Sequence, residues 1–169
     1  MPMRDALLPE FEHEMANTRK TLERVPEDKF DWKPHAKSGT MGWLASHLAD
    51  MAGWAAETIN KDELDLSPDG KPYVPPPPPR SRAELLAKFD ANVKAAREAL
   101  ARVTDEELGR TWALKMTGAT LLSMSKAQCL RTFVLSHTVH HRAQLGVYLR
   151  LNDVPVPAIY GPSADEQGM

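Results

Sequence analysis

Apolar residues recur at steps of three and four in four separate stretches of the chain, and the spacers between them are rich in Pro, Gly and Asp. This period marks amphipathic helices, in which every third or fourth side chain returns to one face. The first helix is expected over residues 3–24, with Leu7, Leu8, Phe11, Met15, Thr18 and Leu22 on its stripe and Pro26 beyond its end. The second is expected over 40–60, with Ser38 and Thr40 as candidate N-caps. Its stripe is Trp43, Leu44, His47, Met51, Trp54 and Thr58, which turns His47 towards the core. The third opens on Ser81 and Glu84, the spacing of a capping box, and carries Leu86, Phe89, Val93, Leu100 and Val103 to residue 103. The fourth is expected over 125–151, with Leu130, Phe133, Val134, His137, His141, Leu145 and Tyr148 on one face and Asn152 and Pro155 at its end.

Two spacers have a character of their own. SPDGKPYVPPPPPR cannot continue a helix, because each proline lacks an N–H and a run of five favours an extended conformation. It reads as a stiff, proline-rich crossover between helices two and three. The stretch TDEELGRTWALKMTGATLLSM is irregular, and Trp112 to Leu122, around Thr117 and Gly118, fits a short hairpin before helix four. Four amphipathic segments with no other strand pair predict an all-α fold, a four-helix bundle forming one domain over 1–169.

Composition narrows the function classes. With 169 residues the chain can bury roughly 68 to 70% of its unfolded surface, so neither metal nor disulfide is needed merely to fold it. A net charge of -2, from 21 basic and 23 acidic residues, gives no basic footprint for nucleic acid. The single Cys129 can form no internal disulfide, and MPMRDALLPEF lacks the apolar run of a signal peptide. No stretch approaches the roughly 20 apolar residues of a membrane span. A cytoplasmic setting is therefore expected.

The chemistry lies in LSHTVHHRAQLGVYLRL. His137 and His141 stand four residues apart, so on a helix their Cβ atoms lie about 5 to 6 Å from each other on one face and the rings can chelate one divalent metal. His140 fits almost as well, at about 60° from His137 on the other side against about 40° for His141, and the wheel does not choose between them. A third ligand must come from elsewhere, and His47 is the other histidine embedded in an apolar helical stripe. The competing reading is three hydrogen-bonded core histidines, against which stands the number of buried polar atoms that would need partners. His13 falls roughly 200° from Phe11 and reads as solvated, and His35 follows Pro34 in a loop.

The segments GWLASHLADMAGW, HTVHHRAQLGVYLRL and VPVPAIYGPSADE together resemble the DinB-like family of damage-inducible, metal-dependent bundle proteins. That YfiT-like family includes the bacillithiol and mycothiol transferases. The resemblance covers nearly the whole chain and implies one histidine ligand on the second helix and two at HxxxH spacing on the fourth. Those positions are His47, His137 and His141 here, so resemblance, not spacing, selects His141 over His140. It further implies a divalent cation, zinc or nickel, a homodimer and a link to stress response.

Three neutral imidazoles leave a cation its full charge and open coordination positions, the pattern of a catalytic site, with metal-bound water or a thiolate as the reacting group. Gln144, about 20° from His137, is placed to orient a ligand or equally to make a plain polar core contact, and Asp50, one turn after His47, reads first as an exposed carboxylate and second as the acceptor of an imidazole N–H. Trp43, Met51 and Trp54 are expected to wall the cavity. Arg142, about 140° from His137, should point away to a partner helix or a subunit interface, and Cys129 sits at the stripe edge as a core residue. The leading functional expectation is a metal-dependent thiol S-transferase or hydrolase acting on a small molecule, possessing no protein nucleophile. A non-catalytic metal-binding stress-response protein and a dimeric interaction module are the alternatives.

Overall fold

The computed structural model describes residues 1–71, 74 and 77–167. Three long helices come first: α1 Arg4–Leu22, α2 Met41–Asn60 and α3 Arg82–Arg102. Thr40 caps α2, its side chain accepting from the Trp43 N–H at 3.1 Å. Ser81 caps α3 by accepting from the Glu84 N–H. The return arm of the expected capping box goes elsewhere, since Glu84 accepts from the Arg80 N–H. A short helix, α4 Asp105–Gly109, carries the full reciprocal box instead, between Thr104 and Glu107.

Three strands follow from β1 Glu63–Asp65, β2 Thr111–Met116 and β3 Ala119–Ser125, in the order β1-β2-β3. β1 runs parallel to β2, and β2 antiparallel to β3. The fold is therefore not the expected all-α four-helix bundle: helices pack with a three-stranded mixed sheet. The hairpin expected around Thr117 and Gly118 forms over the longer span 111–125, and β1 joins it from the far side of α3. Both turn residues have positive φ, 52° at Thr117 and 79° at Gly118. A two-residue turn of that hand matches strand twist, and glycine accepts it without steric cost. Thr117 is held in it by Asp65, whose carboxylate accepts from the Thr117 and Gly118 N–H groups at 3.1 and 2.7 Å and from Ser67 at 2.8 Å. These donors, Ser67 foremost, keep the Asp65 carboxyl below its ordinary range.

The last helical stretch is continuous but not uniform. A short α5 Lys126–Cys129 runs into π-helical turns over Leu130–Ser136 and then into α6 His137–Arg150. Because π turns advance fewer degrees per residue than α turns, a stripe drawn at 100° through residues 130–141 drifts off the core. The buried side chains of α6 are accordingly Thr138, Arg142, Leu145 and Leu149, with the two histidines turned to the side. Lys126, 2% exposed, ties this stretch to the end of α2, donating to the Ile59 carbonyl at 2.8 Å and pairing with Asp62 at 3.0 Å.

The main core gathers Phe11, Met15 and Leu22 of α1, the alanines and leucines of α2, Leu85, Phe89 and Leu100 of α3, and Leu145 and Leu149 of α6. The buried face of α2 includes Ala45, Ala49, Ala52 and Ala55, small residues that bring α3 close. At Gly53 a Cβ would stand 3.0 Å from Asn92 of α3. Trp43 is 47% exposed, and the half-buried Trp54 packs against the main core. A second cluster of Trp112, Leu114 and Cys129 seats the sheet. Of the proline-rich crossover, residues 72, 73, 75 and 76 lie outside the described residues. Among the described residues no helix is long and apolar enough to cross a membrane.

Candidate metal centre

The face of α2 that escapes the core meets the first turn of α6 at three imidazoles. His47 lies 4.8 Å from His141 and 5.3 Å from His137 between ring centroids, and the two α6 rings are 4.6 Å apart. One ring nitrogen of each lies within 4.8 Å of the others. His140 is exposed and stays outside this set, its ring 4.9 Å from His141. The ambiguity left by helical spacing is thus resolved in space: α2 approaches from the His141 side. His13 and His35 are both exposed and distant from the triad in contact, His13 bonding Asn17 and His35 the Lys37 N–H.

The hydrogen bonds assign the outer nitrogens. Gln144 Oε1 sits 2.7 Å from His141 Nδ1, and as an amide oxygen it only accepts, so Nδ1 carries the proton and Nε2 keeps its lone pair. His137 is hydrogen-bonded to the Phe133 backbone, and its Nε2 faces His141 Nε2 at 2.8 Å. His141 Nε2 can therefore accept in this contact or turn its lone pair to a cation placed against both rings. Three nitrogens about 2.0–2.1 Å from one tetrahedral zinc stand about 3.3 Å apart. The triad spans that separation, so its residues fit a divalent transition metal and can hold one.

Electrostatics keep the rings neutral. Burial pushes His47 down to about 4, and the neighbouring His141 and His137 add to it while Asp50 opposes. Burial also lowers His137, reinforced by His141 and His140 and opposed by the Phe133 backbone. His141 is lowered by burial, with Gln144 pulling the other way. Neutral imidazole is the ligating form, so no proton has to be displaced near neutral pH.

Around the triad, Trp43 stacks on His47 at 5.2 Å and 10° and meets His141 edge-on at 6.4 Å. Phe133 lies edge-on to His137 at 6.2 Å. Gly39 is required beneath this indole, because a Cβ there would come 2.5 Å from Trp43 Cε3. A cavity of about 750 Å³ opens beside His47 along α2, and Trp43 and Trp54 line it. Met51, expected among its walls, is 1% exposed in the core. Asp50 pairs with Lys88 of α3 at 2.5 Å, and among the described residues it makes no hydrogen bond to His47. Cys129 is fully buried against Thr58 at 3.5 Å, and burial raises its thiol. Sequence reasoning missed Gly39, which lies on no helical stripe, and gave Phe133, which it placed on the His137 face, no role beside the metal.

Arg142 points away from the triad and is 4% exposed. Its partner is α1, where it donates to the Glu14 carbonyl at 3.0 Å and to Thr18 Oγ1 at 3.2 Å and pairs with the Glu14 carboxylate at 2.7 Å. Tyr160 of the C-terminal segment closes this cluster, its hydroxyl donating to Glu14 and accepting from Arg142.

A helical protein with an HxxxH pair on its last helix and one histidine on its second is the class these elements define. A sequence model of the DinB superfamily matches residues 10–145, and the chain belongs to that superfamily. The Bacillus subtilis (strain 168) protein YrdA is 27% identical over 163 residues, spanning 96% of this chain and 90% of its own. Among solved structures, a DinB-like protein from Bacillus cereus ATCC 10987 superposes with a TM-score of 0.71 at 21% identity, covering 94% of this chain and 98% of that one. The DinB-like protein YjoA from Bacillus subtilis does so with a TM-score of 0.68 at 19% identity, covering 91% and 97%. At these identities the two structures speak for the fold.

Proposed function

We propose that this protein is a metal-dependent enzyme acting on a small molecule, a thiol S-transferase or a hydrolase, with His47, His137 and His141 as the metal ligands. The observation that carries this reading is the convergence of three neutral imidazoles within 4.8 Å, with His47 among the residues lining a 750 Å³ cavity. A structural metal site is normally closed by four protein ligands, whereas three leave room for a reactant. Zinc or nickel bound there supplies a Lewis acid that makes a coordinating thiol or water more acidic. The chain's own residues do the rest. Gln144 holds the His141 ring by its outer nitrogen, which fixes that ring's orientation and directs its Nε2 lone pair inward. Trp43 covers one face of His47 and limits water on that side. The buried Cys129, with its thiol pKa raised, is not placed to act as nucleophile.

The test is elemental analysis after reconstitution, followed by a panel of low-molecular-weight thiols with an electrophile such as monochlorobimane. About one metal per chain and a rate that disappears on chelation are expected. Metal without metal-dependent turnover on thiol or hydrolytic substrates would favour the non-catalytic metal-binding reading. Stoichiometry near zero under both zinc and nickel would leave the core-histidine reading.

A further inference from the structure

The cavity beside His47 follows one face of α2 from Trp43 to Glu57. From His47 to Glu57 is ten residues, or about 15 Å of helix. Pro77 and Pro78 and Leu66 form an apolar wall, and Trp54 lies between the two ends. Gly53 leaves the floor low, since any side chain there would run into Asn92.

The charged side chains lining this cavity share a sign. Asp50 and Glu57 line it, and among the described residues no Lys or Arg does. Their lysine partners approach from outside the lining: Lys88 meets Asp50 at 2.5 Å, and Lys61 meets Glu57 at 2.6 Å. A carboxylate accepts about four hydrogen bonds, so one lysine leaves capacity on each. The Glu57–Lys61 pair is an exposed i,i+4 pair, of the kind that solvent screens, and it yields readily to a ligand. Asn92 adds a third acceptor. Its Nδ2 donates to the Ala49 carbonyl at 2.9 Å, and because a carbonyl can only accept, this bond orients the amide and leaves Oδ1 as its free end.

We infer that this cavity binds a small organic molecule with an apolar body and an ammonium group, the body lying against Trp54 and the prolines and the N–H donors meeting Asp50, Glu57 and Asn92. As a substrate assignment it rests on the triad being the reactive end of the site. A carboxylate of the same size would be held beside like charge at Asp50 and Glu57. The indole faces favour a cation over a neutral group as well.

The experiment titrates 2-phenylethylammonium, 3-phenylpropionate and 2-phenylethanol into the metal-free and the zinc-loaded chain by calorimetry. In the metal-free chain the ammonium should bind at least about ten-fold more tightly than the carboxylate. Glu57→Gln should weaken the ammonium several-fold and leave phenylethanol and zinc stoichiometry unchanged, and Asp50→Asn should act in the same direction. Equal or tighter binding of the carboxylate to the metal-free chain would overturn the inference. So would an ammonium affinity that neither substitution changes, or no binding of any probe. Zinc retention is read separately: retention without ammonium preference sinks the cavity assignment alone, and preference without retention sinks the metal reading alone.

Discussion

The two polar faces of α6 invite comparison, because they stand back to back on the same fourteen residues. On one face Arg142 is buried and its guanidinium is met by the Glu14 carboxylate and carbonyl, Thr18 and Tyr160. On the other, His137 and His141 are half-buried and bring their Nε2 atoms within 2.8 Å of each other. Buried polar groups are nearly always satisfied within the protein, and the Arg142 guanidinium obeys this, although Thr138 Oγ1 one turn before it is buried without a hydrogen-bond partner among the described residues. The chain partners of the histidine face are the other imidazoles and Gln144. What distinguishes a structural polar cluster from a reactive one is therefore neither burial nor residue type: it is whether the partners are supplied by the chain or left to a ligand.

The comparison breaks first at Arg142. Arg142→Ala leaves the Glu14 carboxylate buried beside Tyr160 with its cation gone, and should cost about 3–5 kcal/mol of unfolding free energy. Urea denaturation measures it, and a loss below about 1 kcal/mol would show that the cluster is not the latch between α1, α6 and the C-terminal segment. Next is the histidine face, where the same truncation should spare stability and remove metal. His141→Ala should weaken zinc retention by more than about 100-fold, beyond the 10 to 100-fold typical of an outer partner, while His140→Ala should stay within that range or below it. Chelator competition reads both variants, and the reverse order would mean that the triad is assigned to the wrong histidine.

Gln144→Ala sharpens the contrast further, since it frees His141 Nδ1 without touching the three nitrogens that face inward. A fall of about 10-fold in zinc affinity with unchanged stoichiometry is expected, and no change would reduce Gln144 to a surface side chain. The smallest effect is on pH. The folded-state pKa of His47 lies below its unfolded value, so its contribution to stability is complete above about 6.5 and is lost as pH falls through about 4. For a half-buried ring this amounts to no more than about 2 kcal/mol after solvent screening. Unfolding of the metal-free chain at pH 7, 5.5 and 4, against His47→Gln, isolates it; parallel curves for the two chains would remove His47 as the cause.

Much of the helical framework was legible in the residues. Thr40 and Ser81 begin helices where local capping chemistry says they should, and Pro26 and Pro155 stand beyond helix ends. The turn at Thr117–Gly118 announced a hairpin. The third strand did not: Glu63–Asp65 is three residues long, mostly charged, and acquires strand geometry only by pairing with Ala113–Lys115 across α3. On α2 sequence reasoning placed Trp43 and Trp54 at the cavity, where they lie, but put Met51 beside them, whereas that side chain is 1% exposed in the core.

By itself the sequence determined what depends on neighbours a turn away: four long helical stretches, their caps, and an HxxxH pair whose rings must share a face. Tertiary structure decided the rest. The π-helical turns over Leu130–Ser136 and the side from which α2 approaches chose His141 over His140, and Glu14, 128 residues before Arg142, settled that arginine's role. The division has one physical cause. Hydrogen bonding within a helix is set by residues three to five apart, which a single stretch of chain contains, whereas the convergence of three imidazoles depends on how two helices rotate about their own axes, and that rotation is fixed only when their opposite faces are buried.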